Sequence, residues 1–156
     1  MGCFLSCIST PERGCVEERK NEDIDSLNKC NLENTPSFSF EDKEFDAKVI
    51  KVYDGDTVTL ALKYNNKFYK FNCRLIGIDT PELKTKVEHE KMLANNAKSF
   101  LCDTILDKIV RIQAGKWDKF GRLLITIFLN NININHLMID RGFAKPYDGK
   151  TKAVDW

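Results

Sequence analysis

Residues 45–78 read FDAKVIKVYDGDTVTLALKYNNKFYKFNCRLIGI, and this stretch decides the fold. Phe45, Ala47, Val49, Ile50 and Val52 run along a strand that stops at Asp54-Gly55, a pair that signals a hairpin. Thr57 to Tyr64 is the return strand. Asn65-Asn66 makes a second turn, and Phe68 to Ile78 alternates through Phe71, Cys73 and Leu75. Such a three-stranded meander is the front half of a small barrel.

Downstream, Val87 to Leu106 is free of Pro and Gly and carries Met92, Leu93, Ala97, Phe100, Leu101, Ile105 and Leu106 on one helical face. Two more strands are expected, Lys108 to Ala114 and Leu123 to Leu129. The second is nearly continuous in apolar and β-branched residues, which predicts burial on both faces. A short helix from Asn135 to Arg141 ends at Gly142, a residue suited to a helix C-terminus. Five strands with an inserted helix predict a mainly β, α+β fold: an OB-type five-stranded barrel rather than a sandwich or a doubly wound sheet.

Upstream the texture differs. The 156 residues carry a formal charge of only +1 because two unlike parts cancel. Residues 1–42 hold four Lys or Arg against nine Asp or Glu, net −5; residues 43–156 hold 20 against 14, net +6. The division predicts an acidic flexible arm, 1–42, and a folded domain, 43–156, whose basic balance suits a polyanion. The arm has no sustained apolar period, and a short helix through Ile24 to Leu32 would be marginal without a surface to pack on. Its first residues fit M-G-x-x-x-[ST], in which Gly2 is exposed for myristoylation. One acyl chain binds membranes only marginally, so Cys3, with Cys7 beside it, would take the second, palmitoyl, chain. The expected address is then the cytoplasmic side of a membrane in a eukaryotic or virus-infected cell, and the cytoplasm without acylation. The bland alternative is a tail that matches a short motif by chance.

The six cysteines include no Cys-x-x-Cys pair, and no Asn-x-Ser/Thr sequon is present, which fits a reducing compartment. Cys73 and Cys102 are expected as buried thiols acting as small hydrophobes. His89 and His136 are the only histidines and do not form a His-Glu-x-x-His pattern, so a zinc hydrolase or histidine triad is not indicated.

Three segments gather carboxylates and arginines at strand ends: Asp54-Gly55-Asp56-Thr57, Arg74 through Glu82, and Asp118-Lys119-Phe120-Gly121-Arg122. Singly, each has a plain reading as a turn, a surface charge or a helix start. Together they do not, because Arg74 lies mid-strand among apolar neighbours and needs an anionic partner or a phosphate there.

In this order and spacing the three segments resemble the staphylococcal nuclease (thermonuclease) family, over about Glu44 to Tyr147. The resemblance implies a five-stranded OB-type barrel, lacking most of the family's C-terminal third helix since the sequence stops at Trp156. It implies a Ca²⁺-dependent nuclease that cleaves single-stranded DNA and RNA and leaves 3′-phosphate ends. Asp56 and Asp79 would be carboxylate ligands of Ca²⁺ and the Thr80 backbone carbonyl a third oxygen, a hard-oxygen set that suits this cation. Glu82 would hold or deprotonate the attacking water, while Arg74 and Arg122 grip the scissile phosphate. Lys119, Phe120 and Tyr147 would contact the rest of the substrate. Lys84 and Lys86 resemble the family's mobile lysine-bearing loop, or are ordinary solvated lysines. Phe120 stands where the family often has tyrosine, which removes a phenolic hydrogen bond but keeps stacking. The rival function on the same fold is a retired module that binds nucleic acid or protein without cleavage; the presence of all five of Asp56, Arg74, Asp79, Glu82 and Arg122 argues against it.

Overall fold

In the computed structural model, which describes residues 22–149 and Trp156, alternation between core and solvent sets the strands. The chain order is β1 (Glu44–Val52), β2 (Thr57–Tyr64), β3 (Lys67–Leu75), β4 (Ile78–Asp79), α1 (Glu88–Ile105), β5 (Ile109–Trp117), β6 (Leu123–Leu129), β7 (Ile132–Asn133), α2 (Ile134–Asp140) and β8 (Lys145–Pro146). β3, β2, β1, β5, β6 and β7 neighbour one another in that order. A parallel pairing of β3 with β6, Cys73 to Leu123 through Leu75 to Ile125, closes the five long strands into a barrel. This is the mixed five-stranded OB-type architecture expected from the sequence.

The turns show which local signals held. Asn65 and Asn66 both have positive φ, 47° and 61°, and connect Tyr64 to Lys67 as a two-residue hairpin of the kind that follows strand twist. Asn130-Asn131 repeats the device, at φ 51° and 64°, between Leu129 and Ile132. Asp54-Gly55 also marks a hairpin, from β1 to β2, by a different geometry. Its connection is longer, closed by Tyr53 and Asp54 N–H groups donating to the Thr57 carbonyl. Gly55 is needed for space rather than for a left-handed turn, since a Cβ there would meet Thr80 Cγ2 at 2.9 Å and Ala97 Cβ at 3.0 Å.

The inner faces of β1, β2, β3, β5 and β6 supply the core, with Val49, Leu60, Leu75, Ile112 and Ile125 fully buried. β6 buries Leu123, Ile125 and Ile127 but leaves Leu124, Thr126 and Phe128 only half-buried, so the expectation of two buried faces is corrected: the outer face of a barrel strand meets solvent and the Arg111 guanidinium, 5.1 Å from the Phe128 ring. α1 packs through Ala94, Ala97, Leu101 and Ile105. Met92, expected on that face, is exposed because it lies off the Ala94, Ala97, Leu101, Ile105 stripe, and Leu106, also expected there, is the C-cap beyond the helix end at Ile105. Cys73 is buried as expected, and burial pushes its thiol up to about 12; Cys102 is half-buried.

The chain divides into two compact units, residues 1–38 and 39–156. In the first, residues 22–27 are helical, so the helix ends five residues before the expected Leu32. Gly2 and Cys3 lie outside the described residues. In the second, Phe40 is 1% exposed, with its ring centroid 5.1, 5.2 and 5.6 Å from those of Phe45, Tyr64 and Phe71. Edge-to-face packing of this kind makes Phe40 part of the barrel core, three residues before the sequence boundary at Lys43.

Candidate active site

Strand pairing builds the site. Because β3 and β6 run parallel with Arg74 beside Leu124, Arg74 and the residue that precedes β6, Arg122, come to the same barrel edge. The β1–β2 connection is tied to that edge by the Leu75 N–H, which donates to the Asp56 carbonyl at 2.8 Å. β4 is held by β8, with Asp79 opposite Lys145 and Ile78 opposite Pro146, and the Tyr147 N–H donates to the Gly77 carbonyl at 3.0 Å. Three segments far apart in sequence thus meet around one cavity of about 800 Å³.

Its floor is charged and buried. Asp56 is 3% exposed and Asp79 1%, and Arg74 bridges them: Nη1 donates to Asp56 Oδ1 at 2.7 Å and Nη2 to Asp79 Oδ1 at 3.0 Å. Thr57 Oγ1 also donates to Asp56 Oδ1, at 3.0 Å. Burial pushes the Asp56 carboxyl up to about 6 against the pull of Arg74, with Asp54 and Asp79 adding repulsion in the same direction as burial. The anionic partner that the sequence demanded for Arg74 is therefore this carboxylate pair. Thr80 is buried beside Gly55 and lines the cavity.

Glu82 and Lys84 are exposed on the cavity wall, in the connection that leads to α1. The opposite wall is the β5–β6 connection. Gly121, at φ 74°, turns it back, and Asp118 organises it: Oδ1 accepts from the Phe120 and Arg122 N–H groups at 2.8 and 2.9 Å, and Oδ2 accepts from Arg122 Nε at 2.7 Å. Partial burial raises the Asp118 carboxyl, but the hydrogen bonds from Arg122 and Phe120 outweigh it and hold the group below the usual carboxylate range. Phe120 is 71% exposed, flanked by Lys119 Nζ at 5.1 Å and Arg122 Cζ at 5.3 Å from its ring centroid. Tyr147 is half-buried and closes a further side. Every expected site residue of the body is at this cavity or, for Asp79, bonded to Arg74 in its floor.

Two residues that hold the site were missed from sequence. Asp118 was read only as part of its segment; its signal was the Asp-x-Phe-Gly-Arg spacing, which suits an Asx-type turn. Asn135, 2% exposed, accepts from the Ile127 N–H and donates through Nδ2 to the Ile76 and Ile125 carbonyls at 2.9 and 3.1 Å. It locks α2 to β6 and to the connection that carries Asp79. Its one signal was an amide directly after Ile134 at the start of a helix that goes on through Leu137, Met138 and Ile139.

A family model described as Staphylococcal nuclease homologue matches residues 72–155. The chain belongs to the staphylococcal nuclease family. An uncharacterised protein of Methanocaldococcus jannaschii is 33% identical over 95% of this chain and 82% of its own length. An uncharacterised endonuclease of Haemophilus influenzae is 31% identical over 64% of the chain and 51% of its own length. The thermonuclease of Staphylococcus hyicus is 29% identical over 63% of the chain and 57% of its own length. The chain thus spans most of the archaeal relative and about half of the two nucleases. Relatives of this kind indicate a nuclease.

Among the described residues no cluster of three or more His, Cys, Asp or Glu side chains takes up a metal-binding arrangement. The donor set is instead two buried carboxylates, Asp56 and Asp79, beside Thr80. Two carboxylates completed by a carbonyl and waters suit a large, hard cation with flexible coordination, and they do not suit zinc.

Proposed function

We propose that the protein is a Ca²⁺-dependent nuclease that hydrolyses phosphodiester bonds of single-stranded DNA and RNA to 3′-phosphate ends. We further propose that acylation of Gly2 and Cys3 tethers it to a membrane surface. The observation that carries the catalytic reading is the bridging of two buried carboxylates by Arg74, on the floor of a cavity whose walls bear Glu82 and Arg122.

Asp56, Asp79 and the Thr80 carbonyl would hold the cation, whose bound charge opposes that on the phosphate oxygens. Arg122, held by Asp118 and the Phe120 ring, presents the rest of its guanidinium fork to the phosphodiester. Arg74 keeps the two carboxylates apart and has its own fork at the same edge, where it opposes negative charge that grows as water adds to phosphorus. Glu82 takes one proton of that water as its oxygen bonds to phosphorus. The P–O5′ bond breaks, and the departing 5′-oxygen takes a proton from solvent water, whose hydroxide is neutralised by the proton Glu82 returns, which leaves the phosphate on the 3′ side. Phe120 and Tyr147 offer ring faces to bases and Lys119 and Lys84 offer charge to the strand, contacts that tolerate any sequence.

The test is release of acid-soluble nucleotide from single-stranded DNA and RNA by the full chain in Ca²⁺, in Mg²⁺ and in chelator. Cleavage that requires Ca²⁺ and falls about 10²- to 10⁴-fold in Glu82→Gln supports the reading. Binding without cleavage in Ca²⁺ overturns it in favour of a retired module. Myristate incorporation at Gly2, with flotation on vesicles lost in Gly2→Ala, tests the tether.

A further inference from the structure

A second concavity, of about 410 Å³, lies on the outer face of β1, β2 and β3 and is lined by Lys51, Thr57, Thr59 and Asn72. It shares Tyr53, Asp54 and Arg122 with the catalytic cavity, so the two are continuous. Strand register shows what kind of surface this is. Arg74 pairs with Thr57 at the catalytic edge; Lys51, Thr59 and Asn72 form the next outward row; Lys48, Ala61 and Lys70 the next; and Lys63 with Phe68 the last. From Thr57 to Lys63 these rows cover about 20 Å.

The chemistry of the rows is that of a track for a polyanion. Lys51, Lys63 and Lys70 are exposed, and so is Phe68, at 77%. Lys48 is paired with Asp107 at 3.4 Å. Tyr53 is 47% exposed at the junction of the two concavities, with Lys51 Nζ 5.9 Å from its ring centroid. Thr59 Oγ1 donates to Asn72 Oδ1 at 3.0 Å, which fixes the amide and leaves its Nδ2 hydrogens as donors on the groove. Among the described residues Asp54 is the one carboxylate on the lining, at the catalytic end. Aromatic faces, spaced lysines and neutral donors are how proteins hold a single strand without reading its sequence. A strand cut within its length must leave the catalytic cavity on both sides, and this groove is the exit built of such groups.

We infer that the outer face of β1–β3 is an extended subsite for the flank of a single-stranded polynucleotide. Tyr53 stacks the first base beyond the catalytic cavity, Asn72 donates to the strand, and Lys51 and Lys70 meet its phosphates. The inference rests on the nuclease reading and adds to it a preference for long substrates.

The experiment uses the full chain and two substrates, a dinucleotide with a single phosphodiester bond and a single-stranded 12-mer, with binding of the labelled 12-mer in chelator measured separately by fluorescence anisotropy. Lys51→Ala/Lys70→Ala should weaken 12-mer binding, reduce the salt slope of log affinity by about 1.4, and raise KM on the 12-mer with dinucleotide kinetics unchanged. Tyr53→Ala should lose about ten-fold more on the 12-mer than on the dinucleotide, and Tyr53→Phe should restore it. Equal losses on both substrates, or 12-mer affinity and salt slope unchanged in all variants, overturn the subsite. Absence of cleavage of either substrate by the wild-type chain overturns the nuclease reading alone, because the anisotropy arm still decides the subsite.

Discussion

Arg74 Nη1 lies 2.7 Å from Asp56 Oδ1 in a pairing where both groups are largely withdrawn from water, side-chain exposures being 16% and 4%. With Asp79 on its second nitrogen, the guanidinium is a planar strut between two buried carboxylates that would otherwise repel.

Arg74→Lys follows from that geometry. A single ammonium cannot reproduce two fork contacts to two different carboxylates and still face a phosphate. The variant should keep the barrel, whose core it does not enter, and lose about 10² to 10³ in kcat. Kinetics on single-stranded DNA with a parallel thermal melt separates the two effects, and wild-type rates would remove Arg74 from the mechanism.

Asp118 acts through Arg122. Asp118→Ala deletes the acceptor for two backbone N–H groups and for Arg122 Nε, so both the loop and the guanidinium lose their anchor. Asp118→Asn retains an acceptor for the backbone but offers Arg122 no charge. The expected order of kcat is wild type, Asn, then Ala, with the Asn variant melting close to wild type. If the Asn and Ala variants lose equally in kcat and in melting temperature, the residue is structural only.

Asn135→Ala should destabilise the fold by about 3–5 kcal/mol, since Ile127 N–H and the Ile76 and Ile125 carbonyls would each lose a buried partner. Urea unfolding measures it. The Ile76 carbonyl lies three residues before Asp79, so cation affinity should weaken in the same variant.

Phe40→Ala should cost about 3–5 kcal/mol, the range for truncating a buried aromatic ring. Chains begun at Lys43 would lose the ring altogether and should melt well below chains begun at Ser39. Equal melting temperatures would place Phe40 outside the core.

What the sequence disclosed follows a physical division. Strand alternation in 45–78 and the double asparagine at 65–66 are local, and both are legible in the sequence alone. The carboxylates and Arg74 were legible as a set because a charged residue inside an apolar strand demands a partner. Asp54-Gly55 marked the β1–β2 hairpin, but what requires glycine there is not local: Thr80 and Ala97 lie 25 and 42 residues away in sequence. Asn135 was invisible for the same cause: its three partners lie on other elements. Met92 and Leu106 were assigned to the helix's buried face on apolar character alone, whereas Ala94 takes the buried place and the helix stops at Ile105, one residue before Leu106.

The Asp56 carboxyl provides the pH test. Burial raises it to about 6, from 3.8 when exposed, so between those values the native state binds one more proton than the unfolded chain. This group's contribution to stability therefore falls as pH rises through that window, and above pH 6 the buried charge is a cost that Arg74 only partly offsets. Asp118 has the opposite sign, with a contribution present above its unfolded value and lost in acid below it. In chelator, carboxyl NMR should give Asp56 a midpoint near 6. Added Ca²⁺ should move that midpoint down and raise the melting temperature most at pH 7, where the carboxylate is already ionised. A midpoint near 4 in chelator would mean that the Arg74 pairing outweighs burial, and a midpoint insensitive to Ca²⁺ would remove Asp56 from the cation site.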